Sequence, residues 1–93
     1  MLITVDIGNT LIKMGLFDGP RLVKHETFTP QALETALDVY SDWSNYSKRS
    51  IGIASGAIDA KWPKSINWLT IDSPWPIKIS YKTPESIGLA RLL

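Results

Sequence analysis

The sequence predicts an α/β domain built on a mixed sheet. Three observations predict it: a run of short alternating segments separated by tight turns, one amphipathic segment of helical period, and an apolar strand-like run directly after it. Strands joined by tight turns pair antiparallel, whereas a strand reached through a crossover helix can return parallel. Together these give an antiparallel three-strand meander, a crossover helix and further strands.

Residues 2–7 place Ile3, Val5 and Ile7 on one face and Thr4 and Asp6 on the other. Gly8, Asn9 and Thr10 form a tight turn. Residues 11–17 read as the second strand, with Ile12, Met14 and Leu16 sharing a face, and Asp18-Gly19-Pro20 is the next turn signal. Residues 21–28 make a third strand. Thr29 is a good N-cap and Pro30 suits the first helical position. Leu33, Ala36, Leu37 and Tyr40 then recur at helical spacing, and the helix is expected to end over residues 41–44. Residues 50–54 read as a buried strand with Ile51 and Ile53 inward. Residues 55–67 are irregular, and short strands are expected at 68–71 and 77–81, joined through Ser73-Pro74-Trp75-Pro76, which cannot be helical. Residues 83–93 look like a loop that opens a helix.

With 93 residues the chain suits one small domain, and a hydrophobic fraction of 44% argues against disorder. A net charge of +1 gives no field that calls for nucleic acid or an anionic membrane. There is no cysteine, so disulfides and thiolate metal sites are excluded. Met1 leads directly into a strand-like segment rather than a basic and then apolar leader. Apolar runs are far shorter than the ~20 residues that span a bilayer. A cytoplasmic protein is expected.

The segment Asp6-Ile7-Gly8-Asn9-Thr10, with Lys13 beyond it, carries the most chemistry. A carboxylate at the end of a buried strand is costly unless it meets a cation or donors. Gly8 permits a sharp turn and close approach to a ligand. Successive backbone N–H groups in such a turn make an anion nest, and Asn9, Thr10 and Lys13 add donors and charge. Asp6 is placed to orient Mg²⁺ directly or through water. The same residues also suit a plain hairpin, with Asp6 capping the turn or forming a solvated pair with Lys13.

The opening MLITVDIGNTLIKMGLFDG resembles the start of type III pantothenate kinases, and the tail YKTPESIGLAR resembles their pantothenate-site motif, whose pattern is Gly, any residue, Asp, Arg. The two motifs lie at the ends of the chain with the family's spacing, so the resemblance covers nearly all of it. It implies a ribonuclease H-like half of the actin-like ATPase fold. It also implies a kinase that moves the γ-phosphate of ATP to the primary hydroxyl of pantothenate, the first step toward coenzyme A. On this resemblance Asp6, Gly8, Asn9, Thr10 and Lys13 hold the ATP phosphates, and Asp6 their metal. Tyr81 is similar to an aromatic of the pantothenate pocket. Gly88 and Arg91 match the ends of the second motif, with Arg91 gripping a polar or carboxylate end of the substrate. Ser55 and Gly56 fall where the family has another phosphate-side loop. Mg²⁺, a monovalent cation (K⁺ or NH₄⁺) and a homodimer are implied as well.

The chain departs from this pattern in two ways. The motif's Asp, regarded as the base that takes the proton from the attacking hydroxyl, is replaced by Ala90. Loss of a general base typically costs about 10²–10⁴-fold in rate. The family's second domain, which completes the nucleotide cleft, has no counterpart in these residues, and positioning from one side of the nucleotide makes a poor catalyst. Residues 1–93 are therefore expected to be a single phosphate-binding domain, inactive alone. The alternative is a non-catalytic fragment or relic serving as a binding or interaction module.

The remaining residues suit ordinary roles. Trp43, Trp62, Trp68 and Trp75, interspersed with Lys61, Lys64, Lys78 and Lys82, could stack single-stranded nucleic acid, but they also suit core packing and proline-flanked loop anchors exposed toward a second domain. His25 is expected at the surface between Lys24 and Glu26, and Lys48-Arg49 as a solvated approach to a strand.

Overall fold

The structure is a computed structural model that describes residues 1–69. Strands β1 (Leu2–Ile7), β2 (Ile12–Asp18) and β3 (Arg21–Phe28) form the meander. A 3₁₀ turn over Pro30–Ala32 leads into α1 (Leu33–Trp43), followed by β4 (Arg49–Ala54) and the short β5 (Asn67–Trp68). The sheet order is β3-β2-β1-β4-β5. The meander pairs antiparallel, while β1–β4 and β4–β5 pair parallel. This is the mixed α/β architecture expected, consistent with the N-terminal half of an actin-like ATPase.

The helix begins one turn later than its signals suggest. Thr29 caps the 3₁₀ turn, with its carbonyl accepting from Ala32 N–H at 3.0 Å and no capping bond from its side chain. The apolar stripe of α1 then continues past Tyr40 to Trp43, so that Ala36, Tyr40 and Trp43 are buried against Ile3 and Val5 of β1 and Ile12, Met14 and Leu16 of β2.

Strand β4 buries Ile51 and Ile53, as expected, but on the face away from the helix. Parallel register sets Ile3 beside Ser50 and Val5 beside Gly52. Ser50 and Gly52 therefore share the helix-side face, because residues two apart on a strand point the same way. Ile51 and Ile53 lie on the far face, in a separate cluster with Leu2 and Leu69. Thr4 is fully buried on that far face, in the central strand β1 flanked by β2 and β4. On the helix side, Ser50 Oγ bonds Tyr40 Oη at 2.8 Å. The bare Cα of Gly52 makes room for the indole of Trp68; a Cβ there would lie 2.5 Å from the ring.

Trp43 and Trp62 take the core-packing role expected of the tryptophans rather than the stacking one. Trp43 and Trp62 are 3% and 4% exposed. Trp62 packs edge-on against Tyr40 and Trp68, with centroid distances of 6.4 and 6.3 Å. The irregular stretch after β4 is thus anchored by its indole rather than left to present it. His25, Lys48 and Arg49 are exposed, as expected. The strand expected at 68–71 begins at Asn67, and its residues beyond 69, like the strand at 77–81 and the helix opening at 83–93, lie outside the described residues.

Candidate functional site

Ile7 and Ala54 are register partners, so the chain leaves β1 and β4 side by side at the carboxyl end of the parallel strands. Open α/β sheets bind ligands outside this end. Two loops meet there: the hairpin of residues 8–11 between β1 and β2, and the turn that begins at Ser55.

The hairpin is closed by Gly8 N–H donating to the Leu11 carbonyl at 2.9 Å. Gly8 thus has a role within the turn itself. Its N–H is committed inside the hairpin, so the row of donors available to an anion is one shorter. Its missing side chain serves the turn, because a Cβ at Gly8 would sit 3.2 Å from the Leu11 carbonyl oxygen. Among the described residues positive φ occurs only at Gly19, at 58°, in the β2–β3 turn. Asn9 and Thr10 stand exposed at the tip.

Asp6 and Lys13 are antiparallel partners across β1 and β2, both half-buried. Directly opposed residues of an antiparallel pair share a face. The sheet therefore presents one carboxylate and one ammonium together, one residue before the hairpin on each strand. Among the described residues no group of three or more His, Asp or Glu side chains converges as a metal cage. A single carboxylate fits Mg²⁺, which usually keeps several waters and takes one or two carboxylates beside substrate phosphates.

Ser55, which sequence placed on a phosphate-side loop, is brought into contact with the hairpin. Its N–H donates to the Ile7 carbonyl at 2.9 Å, and its Oγ lies 3.1 Å from Asn9 Oδ1 and 3.3 Å from the Ile7 oxygen. The link spans 46 positions of the chain, and only strand register reveals it. On the helix side of the same end, Ile7, Gly8, Ile12, Pro30, Leu33, Ala57, Asp59 and Trp62 line a cavity of about 160 Å³. It was not foreseen from the sequence, since its walls come from four separate segments. Tyr81, Gly88, Ala90 and Arg91, expected at the substrate pocket, lie outside the described residues.

Comparison with known proteins gives a consistent result. A type III pantothenate kinase from Flavobacterium johnsoniae is 27% identical over 99 aligned positions, which take in all of this chain and 41% of the relative. One from Bacteroides fragilis is 31% identical over 101 positions, covering 99% of this chain and 40% of the relative. The chain is similar to type III pantothenate kinases along its whole length. It spans about two fifths of the length of these curated relatives. No protein-family model matches it.

Proposed function

We propose that the chain is the phosphate-holding domain of an ATP-dependent kinase acting on pantothenate, at the entry to coenzyme A synthesis. The observation that supports this best is the DIGNT hairpin set at the carboxyl end of the parallel strands, with Asp6 and Lys13 opposed beneath it. In this reading the side chains of Asn9 and Thr10 donate to phosphate oxygens, and the Lys13 ammonium offsets their charge. Asp6 holds Mg²⁺, which supplies neutralisation of the phosphate charge. Gly8 shapes the hairpin. Tyr81, Gly88 and Arg91 contact pantothenate. A monovalent cation, K⁺ or NH₄⁺, a homodimer and a cytoplasmic setting complete the proposal by likeness to the family. Among the described residues no helix is long and apolar enough to cross a membrane.

Ala90 favours a second reading for the isolated chain, as a binding module without turnover. Alanine cannot accept the proton of the attacking hydroxyl. The two readings share nucleotide binding and differ in product. The test combines the chain with Mg-ATP, K⁺ and pantothenate, measuring binding by calorimetry and phosphopantothenate by mass spectrometry. We expect weak Mg-ATP binding that disappears in Asp6→Ala, and no product. Phosphopantothenate formed in proportion to protein would show that Ala90 does not prevent catalysis. Failure of the native chain to bind Mg-ATP would remove the phosphate-site reading altogether.

A further inference from the structure

An amide at an exposed hairpin tip recognises an anion well only if it is held with its NH₂ edge outward. A freely turning side chain loses rotamer freedom when it is immobilised on binding, which weakens recognition. The Ser55 hydroxyl supplies such a restraint. It has one proton and two acceptors in reach, Asn9 Oδ1 at 3.1 Å and the Ile7 carbonyl at 3.3 Å. The Ile7 carbonyl already accepts the Ser55 N–H at 2.9 Å. The shorter contact and the acceptor not otherwise served by Ser55 both assign the proton to Asn9. With Oδ1 occupied in this way, Nδ2 is the edge of the amide left to face a ligand.

We propose that Ser55 is a positioning residue of the phosphate site, its hydroxyl fixing the Asn9 amide with Nδ2 toward the bound anion. Ser55 is itself held by the sheet. Its N–H bond to Ile7 continues the β1–β4 pairing one step beyond the Ile7–Ala54 partners. The orientation of a loop amide is thereby referred to the core rather than to its own turn. The opposite arrangement, with the hydroxyl serving Ile7 and accepting from Nδ2, would turn Oδ1 outward and suit a cation instead. The anion part of the proposal rests on the function proposed above; the restraint itself does not.

The test uses the full chain in five forms: native, Ser55→Ala, Ser55→Thr, Asn9→Ala and the Ser55→Ala/Asn9→Ala double variant. Mg-ATP affinity is expected to fall roughly 3–10-fold in Ser55→Ala, the scale of one hydrogen bond. Ser55→Thr, which keeps the hydroxyl, is expected to restore it, and the double variant to bind no worse than Asn9→Ala alone. Additive losses, or an unchanged Ser55→Ala, would overturn the proposal. Asn9→Asp separates the two orientations: binding weaker than in Asn9→Ala supports Nδ2 outward, and binding as strong as native overturns it. Relaxation of the Asn9 side-chain NH₂ in ligand-free protein, read by ¹⁵N NMR, gives a readout independent of ATP. It is expected to be rigid in the native and Ser55→Thr chains and mobile in Ser55→Ala. Identical relaxation in all three would overturn the restraint even if no nucleotide binds.

Discussion

The amino and carboxyl ends of the parallel strands are both furnished with hydroxyl-bearing side chains, and the two ends use them in opposite ways. At the amino end, Ser47 and Ser50 are buried. Ser47 Oγ lies 2.6 Å from the Met1 carbonyl and 2.9 Å from that of Arg49, while Tyr40 Oη bonds Ser50 Oγ at 2.8 Å and Ser65 Oγ at 3.2 Å. Each hydroxyl there is turned inward onto the protein, and among the described residues no buried side-chain polar atom is left without a partner. At the carboxyl end, Asn9, Thr10 and Ser55 carry similar groups, but Asn9 and Thr10 are exposed, and Ser55 restrains its neighbour without enclosing it. Buried polar groups must be paired to avoid a desolvation cost, whereas a binding site needs donors with capacity to spare. The amino end should therefore govern stability, and the carboxyl end binding.

The largest effect that would sharpen this contrast lies in the core just beneath the amino-end network. Gly52→Ala puts a Cβ within 2.5–2.6 Å of the Trp68 ring and 3.0 Å of Ile66, and relieving it requires the rigid indole to shift. Overpacking of this kind costs about 1–3 kcal/mol. Chemical denaturation should show a midpoint lowered accordingly, and a variant as stable as the native chain would mean that Trp68 does not lie over β4. Next in size is Tyr40→Phe, which keeps the ring against Trp62 but removes the hydroxyl bonded to buried Ser50. The loss is expected at about 1–2 kcal/mol. Replacing Ser50 as well should recover part of it, since no orphaned hydroxyl then remains; an additive double variant would break the network reading.

The same contrast explains what the sequence disclosed. Alternation in β1 and β2 was legible because Ile3, Val5, Ile12, Met14 and Leu16 face one continuous core. The hairpin was legible because turn residues act locally. In β4 the burial of Ile51 and Ile53 was legible, but the face of the sheet they bury was not. Ile51 and Ile53 look inward by composition, yet parallel register with β1 turns Ser50 and Gly52 toward the helix. Trp62 was read as a loop anchor because its partners, Tyr40 and Trp68, are brought to it only by the completed sheet. Family likeness set Ser55 on a phosphate-side loop, but its bond to Asn9 follows from strand pairing alone.

At the carboxyl end the expected stability effects are small. Asn9→Ala and Thr10→Ala replace exposed tip residues, so denaturation midpoints should stay within about 0.5 kcal/mol of native. Their Mg-ATP affinity should nevertheless fall, by calorimetry. A tip variant that unfolds the chain without changing affinity would reverse the assignment of the two ends.

The smallest expected effect concerns an ion pair between these regions. Lys61 Nζ lies 2.6 Å from Glu34 Oε1, tying the segment after β4 to the start of α1, and both side chains are largely exposed. The lysine pKa is raised, first by its hydrogen bond to Glu34 and then by the charge of that carboxylate. A group whose pKa is higher in the folded state stabilises fully below its unfolded pKa and loses that contribution as pH rises through the folded value. Any contribution of this pair is therefore present at neutral pH and fades only above the ordinary lysine range. Solvent and salt screen such a pair, so Lys61→Met should leave the neutral-pH denaturation midpoint unchanged within error. A clear loss of stability at neutral pH, abolished by high salt, would mean that electrostatics rather than the buried Trp62 indole holds the segment after β4 against the helix.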